Sequence, residues 1–163
     1  MTNTTAIAGM PSVLLIDDDV FLLELLRGML ESLGVGDVAV APDGASALAA
    51  LAAGALQPGL IVCDIRMPGL DGFQVLDALA QRGYAGGVAL MSGMETLSSN
   101  AAGVNGAGLN PAALSTRFAR LDFLACLAKP VTRAALSDLL QRVAGSAPAP
   151  AYCSHVRGAD AGH

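Results

Sequence analysis

The sequence predicts an α/β domain in which a parallel sheet carries helices on both of its faces. The first observation is a series of short apolar runs that lack polar alternation, which is typical of strands buried on both sides. The second is that helix-like segments separate these runs, as parallel strands require. The third is that four runs end on polar groups. These groups are the Asp17-Asp18 pair, Asp64, Ser92 and Lys129.

Five segments are predicted as strands because they are short, aliphatic and bounded by turn residues. They cover residues 13–16, 38–41, 60–63, 88–91 and 124–128. Turn-forming residues precede the third and fourth strands, at Pro58-Gly59 and Gly86-Gly87. Because ligands bind at the carboxyl ends of strands in open α/β sheets, we expect the polar groups that end these runs to form one site.

Helices are predicted between the strands wherever apolar residues recur at three- and four-residue steps. The first follows Asp19, stops at Gly34 and has an apolar face made of Leu22, Leu26, Met29, Leu30 and Leu33. Side-chain oxygens of Asp43, Asp71 and Thr132 are positioned to cap the second, third and last helices. The fourth begins at Asn110-Pro111 and has Leu114, Phe118 and Leu121 on its face.

The domain organisation follows from length and local composition. We predict one domain over residues 11–145, with a flexible tail at 1–10 and a disordered tail or linker at 146–163, where small residues and proline accumulate. A glycine-rich insertion at about 93–110 interrupts the domain. A loop of this length is either a flexible surface segment or an interaction loop.

Composition excludes several classes of protein. The net charge is −5 and the chain has no Lys/Arg cluster, so direct binding of nucleic acid is not expected. No apolar stretch approaches the roughly 20 residues of a spanning helix, so no membrane segment is expected. The 3 cysteines form no CxxC pair, which argues against a zinc site or disulfide framework and favours the reducing cytoplasm.

Four motifs, taken in order, resemble the receiver domain of two-component response regulators, the CheY-like superfamily. They are the run from Val13 to Asp19, the D-x-x-M-P-x-x-D-G string from Asp64 to Gly72, Met91-Ser92-Gly93, and Lys129-Pro130. The similarity covers roughly residues 12–144 and implies a flavodoxin-like, doubly wound five-stranded sheet in the order 2-1-3-4-5. Receivers fused to EAL-type cyclic-di-GMP phosphodiesterases show a weaker likeness.

The resemblance assigns a role to each of these polar groups. It implies that Asp64 accepts a phosphoryl group, and that Asp18, Asp64 and the backbone carbonyl of Arg66 bind Mg²⁺ directly, with Asp17 acting through water. Lys129 and Ser92 are expected to contact the phosphoryl oxygens. Crowded carboxylates repel one another, and a hard divalent cation relieves that repulsion.

The expected function is therefore that of a cytoplasmic switch, with no enzymatic activity beyond its own phosphorylation and dephosphorylation. The implied partners are a histidine kinase or histidine phosphotransfer protein and a downstream target or fused output domain, and a homodimer is also considered. Cys126 occupies the position where the family often has an aromatic switch residue. We therefore expect output to pass through the segment from Gly93 to Leu121.

Two other interpretations remain open at this stage. Asp17 and Asp19 have the D-x-D spacing of Mg²⁺-dependent phosphohydrolases that form an aspartyl phosphate, although Phe21 and Leu22 then depart from that motif. The other is a degenerate scaffold that is never phosphorylated. Taken singly, the motifs also fit helix caps, turns and a solvated lysine.

Overall fold

The computed structural model describes residues 9–93 and 111–146. Most of both predicted tails and all but the first residue of the predicted insertion lie outside these residues. The strands are β1 Val13–Ile16, β2 Val38–Ala41, β3 Leu60–Asp64, β4 Gly87–Ser92 and β5 Asp122–Ala128. The helices are α1 Val20–Ser32, α2 Gly44–Ala52, α3 Gly72–Gln81, α4 Pro111–Arg117 and α5 Arg133–Ser146.

The strands form one parallel sheet in the order β2-β1-β3-β4-β5. The chain thus moves outward from β1 to β2, returns past β1 to β3, and continues to β4 and β5. This order confirms the predicted doubly wound, flavodoxin-like fold. Its reversal beside β1 is the topological switch point, where ligands of such sheets bind beyond the carboxyl ends of the strands.

Side chains that alternate along the strands build two cores, one on each face of the sheet. Leu14 and Ile16 of β1 belong to the core covered by α2, α3 and α4. Val13 and Leu15 belong to the core covered by α1 and α5. β1 and β3 are buried along their whole length, because helices exclude water from both faces. The sheet is consequently a rigid platform for residues at its edge.

Helix starts are fixed by the predicted capping residues. Asp19, Asp43 and Asp71 each accept a backbone N–H bond in the first turn of α1, α2 and α3, and the Gln74 side chain completes a capping box by accepting from the Asp71 amide at 2.9 Å. Thr132 caps α5 by accepting from the Ala135 amide at 3.1 Å. The proposed cap at Asn110 lies outside the described residues.

The structure corrects three details of the prediction. The buried face of α1 is Leu23, Leu26 and Leu30, so it is rotated away from the predicted face that included Leu22. β5 begins at Asp122 rather than at residue 124. α4 ends at Arg117, so the buried residues Phe118 and Leu121 lie beyond its last turn.

The close approach of α3 to β3 depends on Gly72. A β-carbon at this position would lie 2.6 Å from the backbone oxygen of Asp64 and 2.9 Å from the α-carbon of Ile65. The Gly72 amide also donates to the Ile65 carbonyl at 2.9 Å. Glycine is therefore required where α3 starts directly behind the end of β3. No helix within residues 9–93 and 111–146 is long and apolar enough to cross a membrane.

Candidate functional site

Parallel pairing brings the predicted polar residues to one edge of the sheet. Asp17 follows β1, and its amide continues the ladder by donating to the Ala41 carbonyl at 3.2 Å. Asp64 and Ser92 are the last residues of β3 and β4. Lys129 follows β5, and its amide donates to the Ser92 carbonyl at 2.8 Å. The backbone ladder thus fixes the positions of the four groups.

Three carboxylates form a compact cluster at this edge. One oxygen from each of Asp17, Asp18 and Asp64 lies within 4.8 Å of the others. Asp17 is fully buried and Asp64 is 5% exposed, whereas Asp18 faces solvent. The cluster therefore meets solvent at Asp18 and is buried at Asp17 and Asp64.

Lys129 supplies positive charge to the two buried carboxylates. Its Nζ lies 2.8 Å from Asp17 Oδ2 and 3.1 Å from Asp64 Oδ1. Burial lowers the pKa of Lys129, but the hydrogen bonds and charges of Asp17 and Asp64 outweigh burial and leave that pKa above its usual value. The ammonium is therefore charged at neutral pH. The Lys129–Pro130 peptide bond is cis.

The electrostatic environment of Asp64 is unfavourable to its charged form. Burial, and then the negative charge of Asp17, raise its pKa above the usual range, with a smaller contribution from Asp18. Lys129 acts in the opposite direction without cancelling these effects. A further cation placed beside Asp64 would therefore favour its charged form.

Asp17 differs from Asp64 because both of its oxygens are already bonded. Oδ1 accepts from the Asp19 amide at 2.9 Å, and Oδ2 is held by Lys129. Within the described part of the chain, Lys129 is the one hydrogen-bonding or ion-pair partner of the Asp64 carboxylate, and it contacts Oδ1. The Oδ2 atom of Asp64 is consequently available to react, whereas Asp17 is committed to holding the loop and Lys129.

Arg66 and Ser92 complete the set of predicted residues. Arg66 lies two residues after Asp64, in the loop before α3, and its side chain is exposed. Its carbonyl is outside the sheet ladder, so it is free of the pairing that occupies strand carbonyls. Ser92 is only 1% exposed, and its Oγ accepts a hydrogen bond from the Cys126 thiol, with 3.8 Å between the two heavy atoms.

The cluster has the charge and ligand chemistry expected for a divalent cation. Three carboxylates and one ammonium leave a formal excess of two negative charges. Carboxylate oxygens and an open, solvated side match the preference of Mg²⁺ for hard ligands with several retained waters. The three residues therefore fit a hard divalent cation.

Two features of the site were missed by sequence reasoning. One is the Cys126–Ser92 contact, because the register of β4 and β5 cannot be read from composition. The other is a small apolar surface at the start of α1, where Val20, Phe21 and Leu25 are 59%, 89% and 55% exposed. Helical periodicity could have indicated this apolar surface, since Phe21 and Leu25 are four residues apart and lie on one side of the helix.

Comparisons with known proteins agree with this architecture. Residues 13–113 match the family model described as the response regulator receiver domain. Among curated relatives, a protein-glutamate methylesterase/protein-glutamine glutaminase of Myxococcus xanthus is 43% identical over 81 residues, which are 49% of this chain and 23% of the relative. The Regulator of RpoS of Escherichia coli K12 is 34% identical over 85 residues, which are 52% of this chain and 24% of that protein.

The chain therefore spans about a quarter of the length of these curated relatives. In three dimensions it resembles a response regulator receiver domain protein of Clostridium thermocellum. That likeness has a TM-score of 0.65 and 22% identity, and it covers 82% of this chain and 94% of the other. The structural likeness supports the fold, and the family model identifies the lineage. The chain belongs to the response regulator receiver domain family of two-component signalling.

Proposed function

We propose that this protein is the phosphoacceptor of a two-component phosphorelay, with Asp64 as the residue that receives the phosphoryl group. The observation that carries the proposal is the state of the Asp64 carboxylate. It lies at the end of a buried strand, one oxygen is held by Lys129, and the opposite oxygen has no hydrogen-bonding partner among residues 9–93 and 111–146. An oriented carboxylate with a free oxygen is a suitable nucleophile.

In the proposed reaction, Asp64 Oδ2 attacks the phosphorus of a phosphohistidine. A new P–O bond forms while the P–N bond breaks, and the electron pair of the broken bond returns to the departing imidazole. Lys129 is near enough to Asp64 to neutralise charge on the phosphoryl oxygens, and Ser92 would donate its hydroxyl proton to one of them. Hydrolysis of the resulting acyl phosphate returns Asp64 to its starting state.

The proposed metal is Mg²⁺, held by Asp18, Asp64 and the carbonyl of Arg66, with Asp17 acting through water. The two hydrogen bonds already made by Asp17 support a water-mediated role, because they leave its carboxylate little capacity for a direct metal bond. When bound, the ion would neutralise phosphoryl charge during transfer. The residues of this chain orient Asp64, hold Lys129 and exclude water from the inner side of the site.

We infer that the donor is a histidine kinase or a histidine phosphotransfer protein, and that it docks on the apolar start of α1. Val20, Phe21 and Leu25 immediately follow the acidic loop. A protein that delivers its phosphohistidine to Asp64 must cover this neighbourhood. Burial of these exposed side chains would stabilise that encounter. We propose that the two proteins meet in the cytoplasm.

The output is a conformational change that another protein, a fused domain or a second copy of the chain reads. The chain itself would be a switch rather than an enzyme. The proposed extent of the switch domain is residues 11–145. A role for residues 93–121 in output stays a prediction, since 94–110 lie outside the described residues.

The phosphohydrolase alternative is disfavoured by the bonding of its required pair. Asp17, which would be the nucleophile, is fully buried and bonded through both oxygens. Asp19, which would be the acid, is exposed and caps α1 by accepting from the Leu22 amide at 3.2 Å. Neither residue is free for the role that the alternative assigns to it.

Labelling with radioactive acetyl phosphate and Mg²⁺ tests the proposal. Asp64→Asn should abolish labelling, because an amide cannot form the acyl phosphate. Asp19→Asn is the matched control, since it changes a neighbouring acid outside the proposed reaction and should leave labelling largely intact. Labelling of the Asp64→Asn protein at the wild-type level would refute the assignment.

A further inference from the structure

The contact between Cys126 and Ser92 joins the interior of the domain to the proposed phosphoryl site. In the β4–β5 register, Cys126 pairs with Leu90, and Ser92 pairs with Ala128. The two side chains therefore come from positions two residues apart along neighbouring parallel strands. Cys126 Sγ lies 3.8 Å from Ser92 Oγ and is the donor. This is a side-chain bond between the two strands at the end nearest Asp64.

The direction of this bond matters for the chemistry of the serine. A hydroxyl has one proton and two acceptor lone pairs, and a thiol is a weak donor. The thiol proton occupies one lone pair of Ser92 Oγ and leaves the hydroxyl proton for another acceptor. Burial raises the pKa of the Cys126 thiol, and the bond to Ser92 only partly offsets this. The thiol therefore keeps its proton and remains a donor at neutral pH.

The surroundings of Cys126 include a core with three stacked aromatic rings. Its side chain packs against the core beneath α3 and α4. In that core the ring of Phe118 stacks between those of Phe73 and Phe123, with centroid separations of 6.3 and 6.1 Å. The Arg117 guanidinium lies 4.8 Å from the Phe73 ring centroid and 5.0 Å from that of Phe118. Cys126 thus lies at the margin of a core whose aromatic residues pack closely against one another.

We propose that Cys126 is a positioning residue for Ser92, whose hydroxyl it orients for donation to the phosphoryl group on Asp64. The inference rests on the proposed function and adds a residue that acts through Ser92 rather than on the phosphoryl group. Loss of the thiol would leave the hydroxyl free to rotate. Donation to the phosphoryl oxygen would then require Ser92 to be ordered on binding, at a cost in affinity.

Binding of beryllofluoride in the presence of Mg²⁺, measured by titration calorimetry on the full chain, tests this role. Beryllofluoride is a stand-in for the phosphoryl group. We expect Cys126→Ala to bind it about threefold to fivefold more weakly, the size of one weak hydrogen bond. Cys126→Ser should also bind it more weakly, because the shorter C–O bond leaves its hydroxyl beyond O–H···O hydrogen-bond distance from Ser92 Oγ. Val88→Ala, a truncation in the same strand pair away from Ser92, should bind as the wild type does.

A double-mutant cycle separates positioning from general damage to the fold. In a Ser92→Ala background, Cys126→Ala should produce no further loss of affinity. An equal loss in both backgrounds would overturn the inference, as would unchanged affinity in the single variant. Infrared difference spectra between the wild type and Cys126→Ala isolate the S–H stretch of Cys126. That band should move to higher frequency in Ser92→Ala, and a stationary band would also overturn the inference.

Failure of this inference is distinguishable from failure of the proposed function. If the wild type binds beryllofluoride with Mg²⁺ and Asp64→Asn does not, the phosphoacceptor assignment is supported whatever Cys126→Ala does. If the wild type itself shows no binding, then the proposed function fails and the positioning role of Cys126 fails with it.

Discussion

Replacement of Asp64 by Asn should stabilise the metal-free protein, although it removes an ion pair. With an effective dielectric constant of about 20, two charges at 4.8 Å interact by about 3.5 kcal/mol. This is the scale of the repulsion from buried Asp17, and repulsion from exposed Asp18 is smaller because solvent screens it. Attraction to Lys129 at 3.1 Å is about 5 kcal/mol on the same basis.

Attraction to Lys129 exceeds repulsion from Asp17 by about 1.5 kcal/mol on this basis, so the sign depends on the repulsion from Asp18 and above all on the desolvation of a buried carboxylate. Burial is the largest cause of the raised pKa of Asp64. We expect Asp64→Asn to increase the free energy of unfolding by about 1–2 kcal/mol at neutral pH, within the range of single stabilising substitutions. Lys129 keeps its 2.8 Å contact with Asp17, so the substitution leaves no cation unpaired.

Urea unfolding at several pH values, with and without Mg²⁺, is the assay. Because the folded-state pKa of Asp64 is raised, its ionisation destabilises the fold above that pKa. The advantage of Asp64→Asn should therefore shrink as the pH falls through the raised pKa. Added Mg²⁺ should stabilise the wild type more than the variant, because the proposed metal site includes Asp64 in the folded state. Asp122→Asn, at the opposite end of the sheet, should show neither effect.

Two results would refute this reasoning. One is an Asp64→Asn protein less stable than the wild type at neutral pH, since the pair with Lys129 would then outweigh repulsion and burial. The other is equal stabilisation of both proteins by Mg²⁺, which would place the ion elsewhere.

Three further substitutions test the Lys129 ion pair, the close approach of α3 to β3 and the exposed surface of α1. Lys129→Met should lower the free energy of unfolding by about 3 kcal/mol at neutral pH, because buried Asp17 loses its counter-charge. Urea unfolding measures this loss. A loss below about 0.5 kcal/mol, which is typical of surface changes, would contradict the prediction. Gly72→Ala should lower the free energy of unfolding by about 2 kcal/mol, since the added β-carbon collides with the backbone of β3. A variant as stable as the wild type would show that the backbone relaxes freely there. Phe21→Glu should slow transfer from a phosphohistidine donor protein tenfold or more while labelling by acetyl phosphate is unchanged; an equal slowing of both would exclude docking on α1.

The sheet could be predicted from sequence because its signals are local. Short aliphatic runs such as Leu14–Ile16 have no polar alternation, and caps such as Asp71 have a defined spacing from the first helical turn. The order of the strands, in contrast, came from the family resemblance, since periodicity does not determine which strands are neighbours.

Details that depend on tertiary contacts could not be predicted from the sequence. Leu22 and Leu23 are both apolar, so sequence alone could not decide which of them faces the sheet. The structure selects Leu23. The Cys126 contact with Ser92 depends on a register that shifts between Val88 and Ala89. An irregularity of this kind has no sequence signature, so the contact could not have been anticipated.

Chemical trapping of the phosphorylated residue is the sharpest test of Asp64 as the phosphoacceptor. The protein is incubated with acetyl phosphate and Mg²⁺, reduced with borohydride to convert an aspartyl phosphate into homoserine, and mapped by peptide mass spectrometry. We expect homoserine at position 64 and unmodified Asp at positions 17, 18 and 19. Homoserine at position 17, or no conversion at position 64 while the protein binds Mg²⁺, would contradict this assignment.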